Sequence, residues 1–395
     1  MRIDSIVAQS AGSPDSSPDS FSPNTSNTLS STASLPIPDA LLTLIRKEVR
    51  SQQPYIVPGA RPVPVKLNQN ESPFDVPEPL KKDLLDAFFQ MDFNRYPAEQ
   101  PTRLMEALEK QFHLPSGSVI VGNGSNELTY TLGMCFIHPG DPVILPRPMF
   151  ALYESMVNLH GGLAVGIAPR ADLHFDVEAI LDAIDQHQPP LVIVTTPNNP
   201  TGLAMDFADV EKIVQRSPGF VVIDEAYHEF HASQSALSLL DKHPNVIVLR
   251  TMSKAFGLAG LRLGYMIAQP ALITEIMKSR LPFMIDRLSE HVALRLIDHS
   301  DMVHSQINTI LENTAVLTKE LQSRPQVVVL PSQTNFVLFK ADRDPLALLN
   351  DLADNGILVR NMGGYPELKG YLRVTSGTSV ENKAFLEALD KVLLV

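Results

Sequence analysis

Between Val119 and Ile267 the chain repeats one pattern: a short, almost uninterrupted apolar run, then a longer stretch whose apolar residues fall at helical spacing. The runs are Val119–Val121, Pro142–Leu145, Ala164–Ile167, Leu191–Thr195, Phe220–Ile223, Val246–Leu249 and Leu263–Ile267. Aliphatic and β-branched residues without polar alternation mark strands that are covered on both faces. Leu104–Phe112, Val177–Ile184 and Val210–Val214 read as amphipathic helices between them. The alternation predicts βαβ units, hence an α/β large domain with a mostly parallel seven-stranded sheet flanked by helices. Beyond about Pro282 the order changes. A long helical stretch (Ser289–Leu321) leads to strands at Val327–Leu330 and Asn335–Phe339, a helix, a strand at Gly370–Thr375 and a last helix, which predicts a smaller α+β domain.

The N-terminal part differs in kind. Ser5 to Ser34 is crowded with Ser, Pro, Asn and Thr, too little apolar material to offset the entropy of ordering it. Ala40–Val49 reads as a short helix, followed by a Pro-rich arm through Leu67. The expected division is a disordered tail (1–39), an arm associated with the small domain (40–75), a large domain (76–288) and a small C-terminal domain (289–395). A transit peptide is the weaker reading of the tail, because such leaders are Arg-rich and acid-poor, whereas this one carries Arg2 against Asp4, Asp15, Asp19 and Asp39.

Composition narrows the partners. The formal charge of −12 argues against nucleic acid or an anionic membrane, which need a positive footprint. No apolar run approaches the roughly 20 residues of a membrane span. Cys135 is the only cysteine, which excludes an intrachain disulfide and suits a reducing compartment. The expected location is therefore cytoplasmic, or an organellar interior if the tail is a leader.

In an open parallel sheet, ligands bind beyond the carboxyl ends of the strands. Leu191–Thr195 runs into Thr196-Pro197-Asn198-Asn199-Pro200-Thr201-Gly202, and Phe220–Ile223 into Asp224-Glu225-Ala226-Tyr227. Val246–Leu249 runs into Arg250-Thr251-Met252-Ser253-Lys254, and Val119–Val121 into Gly122-Asn123-Gly124-Ser125-Asn126-Glu127. Taken singly, each has an ordinary explanation. A Lys after a strand is usually a solvated surface residue, an Asp there can cap the next helix, and Asn-Pro-Thr-Gly is turn chemistry. The glycine turn lacks the third Gly of a dinucleotide fingerprint, since Glu127 stands in its place, which also speaks against a nicotinamide-dependent oxidoreductase. The scattered histidines and lone cysteine offer no metal site. At successive strand ends, however, these residues converge on one crevice.

This set resembles the fold-type I family of pyridoxal-phosphate enzymes, and Thr251-Met252-Ser253-Lys254-Ala255-Phe256-Gly257-Leu258-Ala259-Gly260-Leu261-Arg262-Leu263-Gly264 is similar to that family's lysine motif over its full length. The resemblance runs from about residue 40 to the C-terminus. It implies pyridoxal 5'-phosphate as cofactor, held in the large domain as a Schiff base on Lys254, with no metal. It also implies that Asp224 keeps the pyridine nitrogen protonated, that Tyr227 and Asn199 donate to the ring oxygen, and that Ser125, Asn126, Thr251, Ser253 and Arg262 hold the phosphate. Phe150 corresponds to the aromatic stacked on the ring. Lys254, once released, serves as the general base, with Asp224 and Tyr227 as its catalytic companions. A non-catalytic relative that kept the fold would be expected to have lost the Lys or the Asp, and both are present.

Leu67-Asn68-Gln69-Asn70-Glu71-Ser72-Pro73, Asn94-Arg95-Tyr96-Pro97, Gly356-Ile357-Leu358-Val359-Arg360 and Leu372-Arg373-Val374-Thr375-Ser376-Gly377-Thr378 resemble the histidinol-phosphate aminotransferase subgroup. That likeness implies transamination between L-histidinol phosphate and 2-oxoglutarate, with Arg360 and Arg373 binding the anionic end of the substrate. It places Tyr55 and Tyr96 near the substrate phosphate, Tyr96 from the neighbouring subunit, so a homodimer with a shared site is expected. Two stretches depart from the pattern: the turn at Gly122–Glu127, and Leu281–Ser289, which is longer and more polar than its counterparts. Aromatic aminotransferases and a phosphothreonine decarboxylase share most of these motifs and stand as the alternatives.

Overall fold

A computed structural model describes residues 37–54 and 62–394. The expected tail falls almost wholly on 1–36, and Tyr55 with most of the arm on 55–61, all outside the described residues. The chain divides into two units, Met1–Arg46 and Lys47–Val395. The described part of the first holds one four-residue helix, Asp39–Leu42, with no buried residue. It does not continue through Val49 as the sequence suggests: the Thr43 hydroxyl bonds the Ala40 carbonyl (2.7 Å), giving the backbone an alternative to the next helical turn. The second unit opens with a separate short helix, Lys47–Arg50.

The rest of the second unit is built on β1 (Val65–Lys66), β2 (Val119–Asn123), β3 (Pro142–Pro146), β4 (Leu163–Ile167), β5 (Leu191–Thr195), β6 (Phe220–Asp224), β7 (Val246–Thr251), β8 (Leu263–Ile267), β9 (Val327–Val329), β10 (Phe336–Ala341), β11 (Ile357–Leu358), β12 (Arg360–Asn361) and β13 (Tyr371–Thr375). The seven expected apolar runs form one sheet, in the order β2-β8-β7-β6-β5-β3-β4, parallel except for β8, which runs against both neighbours. Side chains alternate between two buried faces. Val221, Ile223, Val246, Val248 and Tyr265 enter one core, and Val222, Ile247, Leu249 and Met266 the other. That double covering is why these strands read as continuous apolar runs.

A second sheet, β12-β13-β10-β9, is antiparallel and has its own core around Phe339, Leu372 and Phe385. The stretch Ser289–Leu321 is two helices rather than one, Arg287–Asp298 and Ser300–Gln322, broken at His299. Val292, Ala293 and Leu296 of the first pack on the large-sheet core, while Leu317 and Leu321 of the second pack on the small one. Val303, Ile307 and Ile310 of the second also pack on the large-sheet core, so that helix runs from one core to the other. β1 pairs in parallel with β11, and the Leu67 carbonyl accepts from the Thr375 N–H (2.9 Å), so residues 65–70 are drawn against the C-terminal sheet.

Ile193 sits fully buried in a central strand of the large sheet. Truncation to Ala is expected to cost about 2–5 kcal/mol, read as a shift of the denaturation midpoint. A loss well under 1 kcal/mol would mean that the core around this strand is not close-packed.

Candidate active site

Lys254 follows β7 by three residues, and its amine donates to the Gln69 carbonyl (2.9 Å). Burial, with the Arg373 charge second, lowers its pKa from 10.5 to about 7. The neutral, nucleophilic form of the amine is thus well populated at mildly alkaline pH. Glu71 opposes this shift, whereas Arg262 and Lys66 add to it. The crevice is net positive around one amine, and that suits an anionic ligand.

Asp224 closes β6 on the same sheet face as Val222. Its Oδ2 accepts from the Tyr153 hydroxyl (2.7 Å) and its Oδ1 from the Ala226 N–H (3.0 Å). Burial pushes the carboxyl up to about 6, against those two hydrogen bonds, which favour the ionised form. The Tyr227 hydroxyl accepts from Asn70 Nδ2 (2.9 Å), and burial raises its pKa to about 12, with Arg373 opposing. Asn70 adopts φ 55°, its N–H bound to the Thr375 hydroxyl (2.9 Å). The Asn side chain tolerates that left-handed backbone better than most.

Arg373 Nη1 donates to Asn199 Oδ1 (2.5 Å) and Nη2 to the Asn68 carbonyl (3.2 Å), while its guanidinium lies 5.1 Å from the centre of the Phe336 ring. Arg360 stands directly opposite Arg373 in the β12–β13 ladder. Facing residues of an antiparallel pair project to the same side, so the two cations are neighbours.

The helix Gly124–Phe136 begins at the end of β2 with no side chain capping its first N–H groups. Ser125 is at its start, and Asn126 is exposed beside it. Arg262 reaches Ser253 Oγ (3.4 Å) and the Ala259 carbonyl (3.3 Å) from a left-handed backbone, φ 55°. Thr251 Oγ1 accepts from the Ser253 N–H (3.1 Å). Two glycines permit this closeness. A Cβ on Gly124 would lie 2.4 Å from Arg262 Nη2, and one on Gly264 would lie 2.2 Å from the Ser125 nitrogen. Free helix N–H groups, a guanidinium and two hydroxyls make a cradle for a phosphate. Glu127, which breaks the dinucleotide fingerprint, braces the turn instead: its Oε2 accepts from Arg280 (2.9 Å) and the Asn123 N–H (3.2 Å).

The structure therefore brings together Lys254, Asp224, Tyr227, Asn199 and Arg373, with the Ser125–Thr251–Ser253–Arg262 cradle around the neighbouring strand ends. Phe150 is half-buried and meets Tyr153 edge-on, with ring centres 6.5 Å apart. Tyr96 is not among them. It is 77% exposed and stacks on Phe283, with ring centres 4.7 Å apart. Sequence reasoning gave no role to Tyr153 or Asn70, yet each bonds a central group. Tyr153 is a buried aromatic one helical turn past Phe150, and only the fold reveals that its hydroxyl reaches Asp224.

A family profile described as "Aminotransferase class I and II" matches residues 62–389. The chain belongs to that family. The aminotransferase is 41% identical over 339 residues to "Histidinol-phosphate aminotransferase" of Chlorobium luteolum, covering 86% of this chain and 95% of that one. The protein of the same name from Chlorobaculum tepidum is 39% identical over 338 residues, covering 86% and 97%. Among solved structures, the histidinol-phosphate aminotransferase of Sinorhizobium meliloti in complex with pyridoxal-5'-phosphate superposes with a TM-score of 0.79 at 24% identity, over 88% of this chain and 97% of that one. The L-threonine-O-3-phosphate decarboxylase of Porphyromonas gingivalis gives 0.74 at 21% identity, over 84% and 100%. Both place the aminotransferase in the same α/β fold.

Two outcomes follow from this geometry. Labelling of Lys254 in the ligand-free protein by a small aldehyde under reducing conditions should rise with pH and level off above an inflection near 7, because the reactive neutral amine gains as pH passes the folded pKa. An inflection near the ordinary lysine value would remove the depressed amine. Tyr153→Phe deletes a donor that favours ionised Asp224, so the carboxyl should bind its proton at higher pH than about 6, read by its infrared band in the ligand-free protein. An unchanged titration would show that the bond has no electrostatic effect.

Proposed function

We propose that the chain catalyses pyridoxal-phosphate-dependent amino transfer between L-histidinol phosphate and 2-oxoglutarate, giving imidazole-acetol phosphate and glutamate, in histidine biosynthesis. The observation that carries the substrate reading is the pair of cations on adjacent strands, Arg360 opposite Arg373, the second of which acts on the Lys254 amine. Two guanidiniums suit a phosphate dianion, and the same pair can take a carboxylate of 2-oxoglutarate or glutamate in the other half of the cycle. The curated relatives at about 40% identity bear the matching name.

When bound, pyridoxal 5'-phosphate supplies an aldehyde for amines and a protonated ring that withdraws electrons from the substrate carbon. Lys254 is the anchoring nucleophile and, once displaced, the base that moves the proton at the substrate's α-carbon. Ionised Asp224 would face the ring nitrogen and hold a proton there. Tyr227 and Asn199 would donate to the ring oxygen, and Phe150 would cover the ring. Ser125, Asn126, Thr251, Ser253 and Arg262 would hold the phosphate. Tyr55, which lies outside the described residues, and Tyr96 are the side chains we assign to the substrate phosphate. Tyr96 projects from the surface of its own chain, which suits a reach into a second copy's crevice and so a homodimer, for which we propose a cytoplasmic location.

The test is steady-state turnover with 2-oxoglutarate, histidinol phosphate against phenylalanine, with carbon dioxide release from phosphothreonine as a third arm. The expected outcome is a kcat/KM for histidinol phosphate at least about tenfold above phenylalanine, whose singly charged carboxylate gives the arginine pair less than a phosphate dianion does. Preference for phenylalanine, or carbon dioxide release, would overturn the substrate assignment. Lys254→Ala should lack the yellow colour of the parent.

A further inference from the structure

On the face of the large sheet turned away from Asp224 lies a buried charge cluster that the reading above leaves unused. Side chains alternate along a strand. Asp224 and Thr251 share one face with Val222 and Leu249, so Glu225 and Arg250, one residue from each, point to the other, with Ile223 and Val248. Both are nearly inaccessible, Glu225 2% and Arg250 4% exposed. Arg250 donates to Glu225 Oε2 through Nε (3.0 Å) and Nη2 (2.7 Å), and Nη2 also donates to Ser235 Oγ (2.9 Å). Glu225 Oε1 accepts from the Ala236 N–H (2.7 Å), and Ser235 Oγ donates to Oε2 (2.8 Å). The guanidinium lies 5.1 Å from the centre of the Phe112 ring, and Tyr265 is its partner across β8. Glu229 comes within 3.8 Å of Nη1, and burial pushes its carboxyl up to about 7. His228 stands 3.9 Å from Glu225. Glu225 is thus the carboxylate that grips Arg250 through two donors.

The location is what matters. The Cα register between β6 and β7 ends at Asp224 opposite Leu249. One further backbone bond, from the Glu225 N–H to the Leu249 carbonyl (2.8 Å), closes the pairing, and beyond it one segment leads toward Tyr227 and the other toward Thr251, Ser253 and Lys254. The Glu225–Arg250 contact joins them at that point. A buried ion pair is a poor source of stability, because desolvating both charges offsets their attraction and apolar replacements are often neutral. Here it ties together the two segments that bring Asp224 and Lys254 to one ring.

We propose that Glu225 and Arg250 are positioning residues, a clasp behind the sheet that sets the spacing between the Asp224 carboxylate and the Thr251–Lys254 segment. It rests on the coenzyme role given above to Asp224 and Lys254, but not on which amino donor is used. With the clasp removed, the coenzyme still finds its lysine and its phosphate cradle, but the ring nitrogen and Asp224 lose their alignment.

The decisive variant is Arg250→Met/Glu225→Gln, which removes both buried charges and keeps an oxygen for the Ala236 N–H. Three readouts are taken on the coenzyme-loaded protein and its stripped form: the thermal midpoint of the stripped form, the pH midpoint of the bound coenzyme's visible absorbance, and kcat and KM with whichever amino donor the parent turns over. The expected result is a thermal midpoint within about 5 °C of the parent, an absorbance midpoint displaced by about half a pH unit or more, and kcat lowered about tenfold with KM within about twofold. A well-folded double variant with parental absorbance midpoint and kcat overturns the proposal and leaves the pair a purely structural contact. If the double variant does not fold, Arg250→Lys decides, since it keeps the charge but not the two-donor grip. A displaced midpoint there supports the clasp, and parental values overturn it. A parent that binds the coenzyme but ignores histidinol phosphate would sink the substrate assignment alone, because the absorbance readout does not involve it.

Discussion

Everything at the crevice depends on keeping one lysine amine out of water. Solvated, Lys254 would be an ammonium ion at any physiological pH and useless as a nucleophile. Burial, aided by the Arg373 charge, brings it to about 7. The same exclusion of water raises Asp224, and there the protein works in the opposite direction, surrounding the carboxylate with the Tyr153 hydroxyl and the Ala226 N–H. One desolvated pocket thus holds a base made more neutral and an acid kept closer to ionised. That division of protonation states is what amino transfer through a pyridine ring requires.

The sheet makes this arrangement cheap in backbone terms. Parallel strands deliver their carboxyl ends to one edge, and the two-sided core fixes which residue of each strand faces which side. A shift of one residue in β6 or β7 would turn Asp224 and Thr251 away and bring Glu225 and Arg250 forward. The glycines at 124 and 264 extend the same logic to the phosphate end, where any side chain would push Arg262 or the Ser125 nitrogen aside.

Most of the large sheet was readable in the sequence because its strands are buried on both faces and so form unbroken apolar runs. The reactive residues were readable because they follow those runs directly. What escaped reading depended on contacts distant in sequence. β1 and β11 are two residues each, too short for periodicity to register, and they exist because they pair with each other. The break at His299 has no Gly or Pro to announce it. Asn70 was visible as a motif member and Tyr153 only as a buried aromatic, but their partners, Tyr227 and Asp224, lie 157 and 71 residues away.

The contact between Arg373 and the Asn68 carbonyl spans 305 residues. Its consequence concerns biosynthesis of the chain itself. On the ribosome the large sheet can assemble as soon as β8 has emerged, but Gln69 and Asn70 have no C-terminal strand to lie against until β13 follows more than a hundred residues later. A nascent chain therefore carries a finished scaffold with an unfinished crevice, and truncation near the C-terminus should yield a protein that folds in part yet never assembles its reaction centre.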